Sequence, residues 1–308
     1  MTPDAVAAPA GPPELDFEFY RAAHADLSGF DVAGLRRHFD LHGKAEGRAG
    51  SPLAYREQFV AAVPRDLDTL EIGPFCAPLL RGEHVFYFDV ADREALMRRA
   101  AVLQYPYTDA PEIHFVSPQA DMSVVDRAFD QLFSSHCVEH QPDLVRHLNE
   151  AARVLKPGGR YFLLVPDKRY CFDHFQPATS LADALGAHVE GRRRHSAESL
   201  LRAKLIRTHN DPGAHWRGSH GAPIGLSLGD ARIREAFGQT AAEASAYADT
   251  HAWYFTPESF RDVVCALRRL SLHGLDVERV YNTPFGRIEF AATLRKPCDG
   301  RRADVGVA

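Results

Sequence analysis

Leu70-Glu71-Ile72-Gly73-Pro74, followed by Val85-Phe86-Tyr87-Phe88-Asp89-Val90, is the stretch that decides the fold. Each piece is a short apolar run bounded by turn residues, the pattern of a strand buried on both faces. The first ends in an acidic residue and a glycine. A glycine there lets backbone approach a ligand at the C-terminal edge of a parallel sheet. The second ends in Asp89, sixteen residues after Gly73, where a carboxylate can accept both hydroxyls of an adenosine ribose. Taken singly, Gly73 is equally a tight turn and Asp89 a strand terminator; the spacing favours a nucleoside site. A nicotinamide dinucleotide site would need G-x-G-x-x-G opening a helix. Here Gly73 is followed by Pro-Phe-Cys-Ala-Pro, and Ala77 to Glu83 is too short for a full crossover helix.

Outward from this stretch, strand and helix signals alternate, which predicts a doubly wound α/β fold with a mostly parallel sheet. A helix is expected over Arg93 to Leu103, and strands over Ile113 to Val116 and Phe129 to Ser134. Leu144, Val145, Leu148, Ala151, Ala152 and Leu155 recur at helical spacing over Asp143 to Leu155. Lys156-Pro157-Gly158-Gly159 should end that helix before a strand over Arg160 to Val165. The stretch 167–250 breaks the rhythm and reads as helices and loops. Thr256-Pro257 is an N-cap followed by proline at the first helical position, opening a helix to Leu270. Strands over Asp276 to Tyr281 and Ile288 to Leu294 follow. The expected organisation is a disordered tail at 1–14 and a small helical extension at 15–50. A main domain then covers 51–296, with 167–250 inserted as a cap, and a tail covers 297–308.

Composition narrows the function. The net charge of −5 gives no basic excess, so nucleic acid is not an expected partner. No apolar run approaches the roughly 20 residues of a membrane helix. The five cysteines are an odd number without a C-x-x-C pair, as in a reducing compartment, and a cytoplasmic location is the expectation.

The run Phe129-Asp130-Gln131-Leu132-Phe133-Ser134-Ser135-His136-Cys137-Val138-Glu139-His140, with Glu150-Ala-Ala-Arg-Val-Leu-Lys-Pro-Gly-Gly159, resembles the class I S-adenosylmethionine-dependent methyltransferases, and among them the bacterial type 11 group. The resemblance covers Leu67 to Asp167 closely and Trp253 to Lys296 in outline. It implies a seven-stranded Rossmann-like sheet ordered 3-2-1-4-5-7-6 and S-adenosyl-L-methionine as cofactor. Carried over by position, Glu71, Gly73 and Asp89 hold the cofactor, Asp121 and Met122 lie along the adenine, and Ser135 and His136 face its methionine part. Two departures stand out: the second glycine of the family's G-x-G is Phe75, and the usual adenine-contacting acid falls on Pro118. Phe19 to Leu27 and His38 to Arg48 are also similar to a short segment of bacterial glycan-synthesis proteins. That similarity suggests a sugar or nucleotide-sugar acceptor and a glycan-synthesis partner for 15–50.

His136-Cys-Val-Glu139-His140 spells H-x-x-E-H, a zinc signature that requires one continuous helix. A strand-like run precedes it and Pro142 follows, so no zinc is expected. Six histidines and Arg192-Arg193-Arg194 in the insertion match no standard ligand spacing. They read as a loop-ordering set, or as a cationic cap gripping an anionic acceptor. Removing a proton from an acceptor hydroxyl suits a histidine, and His140 and His251 are the candidates. A non-catalytic cofactor-binding scaffold in the same pathway is the alternative to an active enzyme.

Overall fold

The computed structural model describes residues 13–106, 109–227, 229–243 and 249–298. Most of the expected tails, residues 1–12 and 299–308, therefore lie outside the described residues. Seven strands form one sheet: β1 Thr69–Ile72, β2 Val85–Asp89, β3 Phe115–Val116, β4 Phe129–Ser135, β5 Leu155–Pro166, β6 Asp276–Val280 and β7 Glu289–Arg295. Their order is β3-β2-β1-β4-β5-β7-β6. The first five are parallel, and β7 runs antiparallel to both β5 and β6. This is the Rossmann-like arrangement expected.

Alternation along the strands divides the core into two layers. Leu70, Ile72, Leu132 and Leu163 face α5 (Leu144–Val154) and α11 (Pro257–Arg269). Tyr87, Phe133, Phe162 and Leu164 face the opposite way, onto Ala49, Leu53, Phe59 and Val63. The connection from β1 to β2 contains no helix. The segment just before the sheet, with α3 (Arg56–Ala61), covers that face instead. The crossover from β2 to β3 carries α4 (Arg93–Val102), which buries Leu96 and Ala100.

The extension holds α1 (Phe17–Ala23) and α2 (Val32–His38) around a small core of Leu15, Tyr20, Leu27, Leu35 and Phe39. A π-helical turn at Phe39–Gly43 follows α2, and Leu41 within it is exposed. The extension docks on the β6–β7 end, where Phe285 N–H donates to Gly47 O (2.7 Å) and Asn282 Nδ2 to Arg48 O (2.9 Å). One boundary differs from expectation. Lys156 to Gly159 is the first part of β5, not a separate turn, and a register shift against β4 absorbs it. Gly158, at φ +81°, supplies the conformation that the irregularity needs.

The insertion contains α6 (Leu181–Val189), α7 (Ala197–Leu205), α8 (Pro212–Trp216), α9 (Ile224–Ser227) and α10 (Asp230–Glu243). Its ends are cinched by an isolated bridge between Asp167 and Phe255. Thr179 N–H donates to Tyr254 O (2.9 Å) alongside it.

Candidate functional site

A cavity of about 400 Å³ opens at the C-terminal ends of β1, β2 and β4, large enough for a nucleoside-sized ligand. Three non-glycine residues in the loops after β1, β3 and β4 adopt left-handed backbone: Phe75 (φ 48°), Ala120 (φ 53°) and His136 (φ 54°). All three line the cavity. Such strain persists only where the surroundings over-determine it, and it gathers at ligand sites.

Glu71 is buried, and its carboxylate accepts the N–H groups of Leu79 (2.8 Å) and Leu80 (3.0 Å). It therefore shapes the loop after β1. Burial raises its pKa to about 7 against the pull of those two donors. Gly73 sits at φ +67°, and a Cβ there would lie 2.5 Å from Cys137 Sγ, so only glycine fits. Asp89 accepts Phe75 N–H at Oδ2 (3.0 Å) and Val90 N–H at Oδ1 (2.6 Å). Burial pushes it up to about 6, with the same two donors opposing. An ionised carboxylate offers about four acceptor positions. Two remain for a ribose diol, so the site fits the nucleoside of the expected cofactor. Phe75, Phe88, Leu103 and Tyr105 give the cavity an apolar wall for an adenine.

Ser135 and His136 reach the cavity from the end of β4. His136 Nε2 lies 2.5 Å from Glu289, which also takes both of its oxygens to Arg56 Nη1 (2.7 and 2.8 Å). Arg56 Nη2 donates to Ser135 Oγ (3.1 Å). Burial would raise the Glu289 carboxyl, but the His136 hydrogen bond and charge, with Arg56, bring it down to about 2. Burial likewise opposes a charged His136, and Glu289 outweighs it and raises that pKa.

His140 lines the cavity, with Nδ1 2.7 Å from Asp249 Oδ1. His251 stands edge-on behind it, the ring centroids 4.5 Å apart, with Nδ1 2.6 Å from Asp173 Oδ2. The Glu139 carbonyl accepts from Ala252 N–H (2.7 Å), which clamps the two segments together. Val138–His140 is a single 3-10 turn directly after β4, with no continuous helix around the H-x-x-E-H run.

Two expected cofactor residues are not brought to the cavity. Met122 is fully buried in the core beneath the sheet. Asp121 caps the turn after β3 through Ser123 N–H and pairs with Arg193 (2.8 Å). Their neighbour Ala120 lines the cavity instead. Arg192 pairs with Glu190, and neither it nor Arg193 lines the cavity. The sequence reading missed Arg56, Arg99, Asp249, Glu289 and Asp173. Asp249 and Glu289 had no local signal, because each matters through a partner more than 100 residues away.

The strand order and the cavity at its C-terminal edge define a class I S-adenosylmethionine-dependent methyltransferase, with S-adenosylmethionine as its cofactor. Residues 72–163 match the family model described as methyltransferase domain. Solved structures with a similar outline include an S-adenosylmethionine-dependent methyltransferase from Mesorhizobium loti (15% identity, TM-score 0.38, 77% of this chain and 96% of that one). The DhpI–SAH complex is another (15%, 0.40, 92% and 95%). A SAM-dependent methyltransferase from Thermotoga maritima is a third (13%, 0.33, 91% and 98%). At these scores the likenesses bear no weight for function. No curated protein shows a significant match to the chain. No described helix is long and apolar enough to cross a membrane.

Proposed function

We propose that the chain methylates a hydroxyl of a sugar or nucleotide sugar in bacterial surface-glycan synthesis. The observation that carries this reading is His140, which lines the cofactor cavity with Asp249 2.7 Å from its Nδ1 and with His251, held by Asp173, behind it. A hydroxyl is a poor nucleophile until its proton is handled, and oriented imidazoles supply that function. S-adenosylmethionine supplies an electrophilic methyl group on a sulfonium. Asp89 binds the ribose, Glu71 and Gly73 hold the loop beneath it, and Ser135 and His136 face the methionine end. Aligning the acceptor and excluding water is the protein's remaining task. Asp249 and Asp173 both come from the insertion, which supports reading 167–250 as the acceptor side. Residues 15–50, with exposed Phe30, Val32 and Leu41, are the proposed contact for a glycan-synthesis partner.

The test is transfer of labelled methyl from the cofactor to a panel of nucleotide sugars and glycans. His140→Ala should lower kcat about 10²- to 10⁴-fold while product-cofactor affinity stays within about threefold. Transfer confined to amine acceptors would refute the hydroxyl reading. Absence of any turnover despite tight cofactor binding would favour a scaffold.

A further inference from the structure

We propose that Glu139, His140 and His251 bind a divalent metal ion of the zinc or manganese kind on the acceptor side of the cavity. This rests on the hydroxyl-acceptor reading above and deepens it. The donor atoms converge: Glu139 Oε1 lies 3.7 Å from His140 Nε2 and 3.8 Å from His251 Nε2. All three donors fall within 4.8 Å of one another. Ligands each about 2.1 Å from one ion stand roughly 3.4 to 4.2 Å apart, depending on the angle between them.

Three further observations point to a cation. Glu139 is fully buried, yet neither carboxylate oxygen has a hydrogen-bond partner among the described residues. A bare carboxylate in that setting is costly, and a metal ion relieves it. Both imidazoles are already oriented as ligands. His251 turns Nδ1 to Asp173 (2.6 Å) and His140 Nδ1 lies 2.7 Å from Asp249, so the Nε2 of each is the ring nitrogen nearest Glu139. Charge also favours it: three carboxylates surround two imidazoles, and although Arg99 offsets one by pairing with Asp249 (2.5 Å), two remain.

A second histidine group, His174, His215 and His220, is the competing candidate. There the His174 and His220 rings stack at 3.8 Å with 12° between planes, so their in-plane lone pairs run parallel and do not converge. Two imidazoles and a carboxylate suit zinc or manganese better than magnesium, which prefers oxygen ligands. This replaces the expectation of a metal-free site. The zinc signature fails as a helix, yet two of its residues meet His251 through the fold.

An ion held by Glu139, His140 and His251 would lower the pKa of an acceptor hydroxyl, so the oriented imidazoles would serve the proton's removal as ligands, with the proton leaving to solvent at the cavity mouth. The acceptor oxygen then takes the methyl carbon as the carbon–sulfur bond breaks onto sulfur.

The test uses the full chain, stripped with chelator and titrated calorimetrically with Zn²⁺, Mn²⁺ and Mg²⁺. Expected are one equivalent of Zn²⁺ or Mn²⁺ bound, and at least about 100-fold weaker binding in Glu139→Gln and in His251→Ala, while both variants still bind S-adenosylhomocysteine. His220→Ala should bind metal as the native chain does. Absence of stoichiometric binding, loss in His220→Ala, or unchanged affinity in both cluster variants overturns the site. The two readings separate cleanly. Undiminished hydroxyl methylation by stripped protein overturns the metal and leaves the acceptor reading standing. One bound equivalent, lost in both cluster variants, supports the metal even where no hydroxyl is methylated.

Discussion

Asp89→Asn separates what the cofactor needs from what the fold tolerates. At pH 7 the buried Asp89 is ionised although its carboxyl has been raised from 3.8 to about 6. At 1.36 kcal/mol per tenfold, that charge costs the folded state about 3 kcal/mol. Asparagine removes this cost. It also offers one carbonyl oxygen to two buried donors, Phe75 N–H and Val90 N–H, and leaving one unmatched costs about 1–3 kcal/mol. The effects nearly cancel, so the variant should melt within a few degrees of the native chain. Cofactor binding has no such compensation. Replacing a charged acceptor by a neutral one at the ribose should cost about 2–3 kcal/mol, a roughly 30- to 150-fold rise in Kd. The pH profile is the sharper signature. A carboxyl with a raised folded-state pKa contributes stability that is complete below pH 3.8 and is lost as pH rises through about 6. Ribose binding wants the ionised form, so native affinity should fall as pH drops below about 6, and the variant's should stay flat. Calorimetry with S-adenosylhomocysteine between pH 5 and 8, beside melting curves, measures both. A Kd within threefold of native, or matching pH profiles for the two proteins, would refute the assignment of Asp89 to the ribose.

Gly73→Ala should destabilise by about 2–4 kcal/mol, combining left-handed backbone with a Cβ placed 2.5 Å from Cys137 Sγ. Adding Cys137→Ala should restore the steric share, and a double variant no more stable than Gly73→Ala would argue against that contact. Glu289→Gln should lower stability most near pH 5 to 6. The His136 contribution is complete below its unfolded pKa and is lost as pH rises through the raised folded value; that of Glu289 is present above 4.5 and is lost as pH falls through about 2. A stability difference that does not vary with pH would show the pair to be uncoupled. Deleting residues 1–50 should leave S-adenosylhomocysteine affinity within about threefold. It should lower the melting temperature, because Ala49 and the Gly47–Phe285 hydrogen bond are lost. A cofactor affinity that collapses on truncation would place the extension over the cavity.

The doubly wound sheet was legible in the sequence because local rules specify it. Strands buried on both faces write themselves as apolar runs, and a helix such as α5 writes its stripe at helical spacing. The glycine after β1 and the acid ending β2 were legible for the same reason: strand termini place them at the ligand edge whatever surrounds them. The absence of a helix between β1 and β2 could be read from length alone. The sequence by itself did not show that 49–63 would cover the face that helix leaves open, nor that Arg56 would come with it to Ser135 and Glu289. Nothing in the local pattern separated Asp121 from Ala120, since one residue of backbone direction decides which side chain faces the cavity and which faces Arg193. The cluster of Glu139, His140 and His251 is the extreme case. Its first two members lie in a stretch already notable in the sequence, but His251 and its carboxylate Asp173 are joined to them by tertiary contacts such as the clamp of Ala252 on Glu139. Periodicity records which side of an element is buried. It carries no information about which distant side chain shares that burial, and electrostatics at a site depends on the sharing.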